Sequence, residues 1–311
     1  MAVNGKALRD AFGDEMLELG RENPDIYIVD ADVGKSCKTL PFAKAYPNQY
    51  INVGIAEQSA CGVAAGLATL GKIPFVSTYA IFGSMRMGEQ IRQEICYPNL
   101  NVKIACSHGG LTPANDGASH QCIEDMGIMR TLPNMTVIMG ADYYATRNLL
   151  RKAVHFRGPV YIRFTRDPIP FVYDETIDLT IGKAHCICAG TDVTIIANGD
   201  TVCIARDAAE QLRGQGISVR LLDMHTIKPL DEEAVRAAAR ETGRIVTVED
   251  HNILNGLGSA VCDVVAAEGI GRVRKIGVQD RFGESAPYED LLAMNGITAE
   301  NIIRQIKVLL T

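Results

Sequence analysis

At 311 residues the chain is long enough for two domains of ordinary size, each able to bury its own core. A hydrophobic content of 47% without low-complexity tracts marks a globular chain, and a formal net charge of −6 with interspersed signs leaves no broad basic surface for nucleic acid or an anionic membrane. No apolar run reaches the roughly eighteen residues of a membrane span, and Met1-Ala2-Val3-Asn4-Gly5-Lys6 has neither the apolar core of a signal peptide nor the Arg/Ser-rich character of a transit peptide, so a cytoplasmic location is expected.

In chain order, Ala7, Leu8, Ala11, Phe12, Met16 and Leu19 recur at near-helical spacing over residues 4–22, with Arg9 off that face. Ile26-Tyr27-Ile28-Val29 reads as a short strand that delivers Asp30 to Ser36 to a strand end, where ligands of parallel sheets gather. A second strand near Gln49 to Val53 leads into a segment of Ala, Gly and Cys that reads as a tightly packed helix beginning around Glu57. A third, Ile73 to Val76, leads to Ser77–Phe82 and a long helix to about Cys96. Val102–Ala105, Thr136–Met139 and Val160–Phe164 continue as strands, with a polar loop from Ser107 to Gln121 and a helix from Asp142 to His155. Strands separated by helical segments predict a parallel, doubly wound α/β sheet.

Asp167-Pro168-Ile169-Pro170 cannot continue a helix, and 167–190 reads as an irregular linker. Beyond it Val193–Ala197, Val219–Leu222, Ile245–Val248 and Val273–Gly277 are buried-type strands with Ala-rich helices between them. The expected organisation is therefore α/β throughout: two doubly wound parallel-sheet domains, 1–166 and a smaller 191–311. The nine cysteines, odd in number and without a C-x-x-C pair, are expected to be reduced and mostly buried.

One carboxylate, Glu57, falls where an apolar strand meets the small-residue helix. Burial disfavours an ionised carboxyl, and a partner nitrogen that shares its proton would hold the group in place, a combination suited to a proton donor. By position alone Glu57 reads equally as a helix N-terminal acid favoured by the macrodipole. Tyr79 and Phe82, directly after a strand, are spaced to converge on a flat heterocycle, although aromatics at this spacing also serve as ordinary core. The loop Ser107 to Gln121 carries His108, Asp116 and His120 among flexible glycines, more than a turn requires. Cys106-x-His108 and His120-x-Cys122 imitate a zinc pattern, but tetrahedral sites usually show tighter pairs. Arg163 and Arg166 each offer a fork suited to a phosphate dianion, and the residues alone do not choose between them. Gly256-Leu257-Gly258-Ser259-Ala260 is no dinucleotide fingerprint, since its third position is wrong and no acid follows at the required distance.

The words Gly54-Ile55-Ala56-Glu57-Gln58 and Ala64-Ala65-Gly66-Leu67-Ala68 resemble the pyrimidine-binding domain of thiamine-diphosphate enzymes of the transketolase family. Asp116-Gly117-Ala118-Ser119-His120-Gln121 is similar to a word shared by transketolases and deoxyxylulose-phosphate synthases, and Asp223–Leu230, Val248–Asn252 and Gly256–Ala260 resemble the transketolase C-terminal domain. The resemblance implies that Glu57 bonds the aminopyrimidine ring nitrogen of thiamine diphosphate and promotes the imino form that deprotonates the thiazolium carbon. It implies that Tyr79 and Phe82 hold the pyrimidine with Met85, which stands where the family usually has an aromatic, and that Asp32 and Val33 contact the thiazolium side. Arg9, Ser36 and His108 would grip a sugar phosphate, with Arg166 favoured over Arg163, while Asp116 would bond a substrate hydroxyl and His120 line the same cleft. His225 and His251 are expected to be structural or interfacial.

The resemblance covers only the second half of a full transketolase. The G-D-G and downstream Asn that hold Mg²⁺ (or Ca²⁺) and the cofactor's diphosphate are not found, Gly199-Asp200-Thr201 lacking the second glycine. What this implies is the C-terminal subunit of a split transketolase. It would work with a separate N-terminal subunit in an α2β2 heterotetramer, with self-association of this chain, and move a two-carbon ketol unit from a ketose phosphate to an aldose phosphate in carbohydrate metabolism of the pentose phosphate type. A deoxyxylulose-phosphate-synthase-like fragment, an oxo-acid dehydrogenase β subunit and a non-catalytic homologue are the alternatives. The Arg9, Ser36, His108 and Arg166 grip favours sugar phosphates over oxo acids, and the presence of Glu57, Asp116 and His120 argues against a non-catalytic chain.

Overall fold

The apolar stripe of the first twenty-odd residues becomes β1 (Gly5–Lys6) and α1 (Leu8–Glu22), whose buried face carries Leu8, Phe12, Met16 and Leu19. The computed structural model describes residues 4–311, so Met1 to Val3 of the N-terminal segment lie outside it. After α1 the chain alternates: β2 (Ile26–Asp30), α2 (Leu40–Ala45), β3 (Tyr50–Asn52), α3 (Glu57–Thr69), β4 (Ile73–Tyr79), α4 (Gly88–Gln90), β5 (Lys103–Ser107), α5 (Asp125–Thr131), β6 (Thr136–Ile138), α6 (Tyr143–His155) and β7 (Val160–Arg163). The connection that follows is less irregular than its prolines suggest. It contains β8 (Ile169–Pro170), paired antiparallel with β1, and β9 (His185–Cys188). Then come β10 (Val193–Ala197), α7 (Thr201–Gly214), β11 (Val219–Asp223), β12 (Thr226–Lys228), α8 (Glu232–Glu241), β13 (Arg244–Asn252), α9 (Leu257–Glu268), β14 (Arg272–Val278), α10 (Tyr288–Met294) and α11 (Ala299–Leu310).

These strands form two principal sheets, in the doubly wound arrangement expected. One has seven strands in the order β12-β6-β7-β5-β4-β2-β3, and the other five in the order β14-β13-β10-β11-β9. Their interiors are parallel, with near-continuous apolar strands such as β10, buried at every position, as sheets covered on both faces require. Each sheet ends on an antiparallel edge strand, β12 against β6 and β9 against β11. β12 comes from the second half of the sequence but closes the sheet of the first. Two helical details depart from expectation. α5, with Gly127 as its third residue, is an additional short helix, and the run after Phe82 is wide, with π turns at Phe82–Arg86 and Ile91–Cys96 around α4.

One hydrophobic core fills the seven-stranded sheet and continues into the second half through Ile196, Leu222, Val261 and Val265, and the other belongs to the five-stranded sheet. Leu111 and Ile123, at the two ends of the polar loop after β5, pack into the core of the second sheet. Backbone bonds hold the same join, Asn252 N donating to Ile123 O at 2.8 Å and Met139 N to His225 O at 2.8 Å, while Gly127 N donates to His251 Nε2 at 3.1 Å. Both histidines thus sit at the join between the halves, as the sequence suggested.

At the centre of this join lies Arg163, only 1% exposed. Its Nε is 3.3 Å from Asp125 Oδ2, and Nη2 donates to Cys122 O at 3.1 Å and to Asp250 O at 2.8 Å. Burial opposes its charge, but the carboxylates of Asp125, Asp250 and Asp200 outweigh that cost and raise its pKa. The Asp250 carboxylate accepts from Leu111 N at 2.9 Å, and the Tyr288 hydroxyl lies between Asp250 and Asp200. Burial, and for Asp250 also the charge of Asp200, raises the pKa of both acids, as expected where one hydroxyl proton serves two carboxyls. Gly110, at φ +63, belongs to the same knot, since a Cβ there would stand 2.1 Å from Asp250 Oδ2.

Arg163→Ala would leave these acids buried without their cation. The expected loss, read by chemical denaturation, is about 3–5 kcal/mol; a change below roughly 1 kcal/mol, the range of exposed pairs, would show that the arginine does not carry the join.

Candidate active site

Parallel strands deliver the segments after their carboxyl ends to one edge of the sheet. At the seven-stranded sheet these are Ala31–Ser36 after β2, Val53–Glu57 after β3, Ala80–Arg86 after β4, His108–Gln121 after β5 and Phe164–Arg166 after β7. The cleft residues expected from the sequence lie on these segments, except Tyr79, the last residue of β4, and Arg9, in the first turn of α1, whose backbone N–H donates to Thr165 O.

Glu57 is the first residue of α3 and is 3% exposed, although no side chain caps that helix. Its carboxylate does have a partner that the sequence reading missed. Arg86, on the π turn, donates from Nη1 to Oε1 and Oε2 at 3.4 and 3.3 Å. The same guanidinium lies over the Phe82 ring, 4.8 Å from its centroid. A flat, N–H-donating cation therefore rests between an aromatic face and a buried carboxylate. The only sequence signal for Arg86 was its position four residues past Phe82, within a stretch expected to be regular helix.

Tyr79 and Phe82 stack at 5.9 Å with their planes 13° apart, and His108 stacks on Tyr79 at 4.0 Å. His120 meets both aromatic rings edge-on at 6.2 and 5.9 Å. Met85 is 49% exposed and closes no wall within this chain.

Asp32 and His108 both adopt positive φ, 65° and 62°, a costly conformation for residues with a side chain and one that collects at functional sites. Asp32 is held by Asn52 Nδ2 at 3.0 Å. The segment from Asp32 to Ser36, with Val33 half-buried in it, is braced from below by Asp30, which the sequence reading passed over. Asp30 accepts from Val33 N at 2.8 Å and from Thr39 Oγ1 at 2.6 Å, and burial raises its pKa.

The cations of the cleft are held by oxygen acceptors. Arg9 Nη1 donates to Ser36 O at 3.1 Å, and its buried Nε has no hydrogen-bond partner among the described residues. Arg166 Nη1 donates to Pro113 O at 2.8 Å and to Asp116 Oδ2 at 3.1 Å. Arg163, the other arginine considered, points away into the join between the halves. Ser36 presents its backbone carbonyl to Arg9. The polar loop is thus fixed at both ends by the second half and tied in its middle to Arg166. Cys106 and Cys122 are fully buried, and Cys122 Sγ lies 3.3 Å from Ser84 Oγ.

His108 is 1% exposed. Burial first, then the positive charges of Arg9, Arg166 and His120, push its pKa down to about 3. A neutral ring beside two arginines is a basin of unbalanced positive potential, suited to a small dianion.

Comparison with known proteins places the same residues in a wider set. Residues 4–170 match the pyrimidine-binding domain of transketolase, and 182–302 match the transketolase C-terminal domain. The chain is 40% identical to a 6-deoxy-6-sulfo-D-fructose transketolase subunit from a Clostridium species, covering 96% of this chain and 92% of that protein. It is also 40% identical to one of the subunits of an apulose-4-phosphate transketolase from Phocaeicola vulgatus, covering 98% and 97%. Among solved structures, a split-gene transketolase described as an inactive β4 tetramer superposes with a TM-score of 0.90 at 47% identity, covering 98% of each chain.

The His108 environment has a direct consequence. With its folded pKa below the ordinary value of about 6.5, the fold prefers the neutral ring, so its contribution to stability is complete above that pH and is lost as pH falls toward 3. A bound phosphate dianion must move that pKa upward. Histidine NMR titration, with and without inorganic phosphate, is expected to show both effects; an unliganded His108 titrating near 6.5 would contradict the arrangement.

Proposed function

Because this chain belongs to the transketolase family, we propose that it is one subunit of a split, thiamine-diphosphate-dependent transketolase that moves a two-carbon ketol unit from a ketose phosphate to an aldose phosphate. The observation that supports this most is the guanidinium of Arg86, seated on the Phe82 ring with its N–H toward the buried Glu57 carboxylate. A flat ring bearing N–H donors fits that arrangement, and an aminopyrimidine is such a ring. Thiamine diphosphate, when bound, supplies the carbon nucleophile that carries the ketol unit.

The chain's own residues then take separable tasks. Glu57 holds a proton at the ring nitrogen of the pyrimidine, in a pocket closed to water on one side by the sheet. Phe82 and Tyr79 fix the plane of that ring, with Met85 at its edge, and Asp32 and Val33 approach the thiazolium side. Asp116 and His120 bond the substrate's hydroxyls. Arg9, Arg166, the Ser36 segment and neutral His108 receive its phosphate. The metal, Mg²⁺ or Ca²⁺, and the diphosphate are assigned to a separate N-terminal subunit, in an α2β2 cytoplasmic assembly, with the chain divided at 1–166, 167–190 and 191–311. The inactive β4 tetramer of the split-gene relative is in keeping with a chain that needs a partner.

The substrates of the relatives carry either a phosphate or a sulfonate. Two arginines beside a neutral histidine favour the dianion, so a sugar phosphate is the substrate proposed here.

In the complex reconstituted with its N-terminal partner, Glu57→Gln is expected to lower kcat at least about a hundredfold with unchanged circular dichroism, the usual scale for a lost acid–base group. Arg9→Ala is expected chiefly to raise KM for the phosphorylated substrate. Undiminished turnover by Glu57→Gln would remove the assignment.

A further inference from the structure

A second concentration of positive charge lies in the other half of the molecule and shares no residue with the cleft. Between the edge strand β14, the turn Met294–Gly296 and the first turns of α11 is a cavity of about 600 Å³. Arg274, Lys275 and Arg304 line it, and no aspartate or glutamate does. Among the described residues none of the three has a carboxylate within 4.0 Å, in a chain whose net charge is −6. The contrast with Arg236 and Arg240 is direct, since those two share Glu268.

What holds the three cations is neutral. Arg274 Nη1 donates to Gln305 Oε1 at 3.2 Å, Gln305 Nε2 to Asn301 Oδ1 at 3.3 Å, Arg304 Nη2 to Asn301 Oδ1 at 2.7 Å, and Asn301 Nδ2 to Gly296 O at 2.7 Å. Lys275 Nζ donates to Ile253 O at 2.8 Å. This chain of amides orients both guanidiniums without cancelling their charge, and each arginine spends one of its five donors. Arg281, bonded to Asn295 Oδ1 and Met294 O, adds a fourth unneutralised cation behind the wall. The cavity lies in the size range of small-molecule sites, and Val273, Ile276 and Met294 give it an apolar side.

We propose that this cavity is a binding site for a phosphorylated small molecule, with its phosphate or diphosphate between Arg274 and Arg304 and its organic part against Met294 and Ile276. Oriented arginines with free donors recognise phosphate oxygens in pairs, which a carboxylate-lined or merely solvated surface does not do.

The test uses the full chain and inorganic pyrophosphate, followed by calorimetry. The double variant Arg9→Ala/Arg166→Ala first removes the two arginines assigned to the substrate phosphate, and pyrophosphate binding is expected to persist in it. Adding Arg274→Ala/Arg304→Ala in the same chain is expected to weaken that remaining binding at least about tenfold, a modest demand for two lost charge-assisted contacts. Circular dichroism and denaturation confirm that each variant is folded; both arginines being solvent-exposed, their loss leaves the core untouched. Binding that vanishes already with the cleft's arginines, or that survives unchanged without Arg274 and Arg304, would overturn the proposal, as would a wild-type chain that takes up no pyrophosphate.

Discussion

A single buried guanidinium sets the terms for the rest of the molecule. Arg163 ends the strand β7 and is enclosed by Asp125 from the first half and by the Asp250 backbone from the second, with Asp200 and Tyr288 behind. Removing water from so many ionisable groups is costly, and the cost is tolerable only if the halves stay docked. The same knot reaches the functional loop, because Asp250 accepts the Leu111 N–H and Arg163 donates to the Cys122 carbonyl. A polar loop with several glycines would otherwise be mobile; here both its ends are clamped to a second domain that contributes no residue to the proposed chemistry. That gives the C-terminal half a physical task in the first half's site.

The contrast between Arg163 and the cleft arginines shows how one residue type serves two purposes. Arg163 is surrounded by carboxylates and has no charge left to offer. Arg9 is held by a carbonyl and keeps a buried Nε without a partner among the described residues, so its charge stays available. Arg166 is intermediate, since it has Asp116 at 3.1 Å but remains partly exposed. The depressed pKa of His108 comes first from its burial, and the positive charges of Arg9 and Arg166 push it the same way. Arg274 and Arg304 follow the same rule at the far end of the molecule, with neutral amides in the role that Ser36 O plays for Arg9.

Much of this was legible in the sequence because it rests on local signals. The alternation of apolar strands and amphipathic helices is written in period, and the cleft residues follow strand ends in order. What was not legible depends on long-range pairing or on broken regularity. Arg163 sits between Ile162 and Phe164, so its burial could be suspected, but its partners lie far away in sequence at Asp125 and Asp250. α5 escaped notice because Gly127 lowers helix propensity in an element of only seven residues. β12 was not among the strands expected from the sequence, and its antiparallel pairing with β6 makes it a strand of the other sheet. Arg86 was hidden because regular helical spacing does not describe a π turn, and such turns recur at functional sites for the reason seen here: they re-aim side chains.

The small-residue segment after Glu57 carries the last step. Its composition suggested a tightly packed helix, and Ala60, Cys61, Ala64 and Ala65 on its inner face are buried with Glu57. Ser59, Gly62 and Gly66 face outward, with Ile55 at 78% and Leu70 at 76% exposure at the two ends of the helix. Glycine is a poor helix former, and Gly66, with nothing of this chain within 4 Å of a built Cβ, weakens α3 without any return from the chain's own packing. The return exists if another polypeptide approaches that face closely, since the absence of side chains is what permits near contact between backbones. Glu57 stands at the N-terminus of this same helix. A polypeptide laid along α3 would therefore stiffen the element that positions the carboxylate. The acid proposed for the chemistry and the exposed small-residue face thus belong to one helix, so a contact on that face would act on the element that positions the carboxylate.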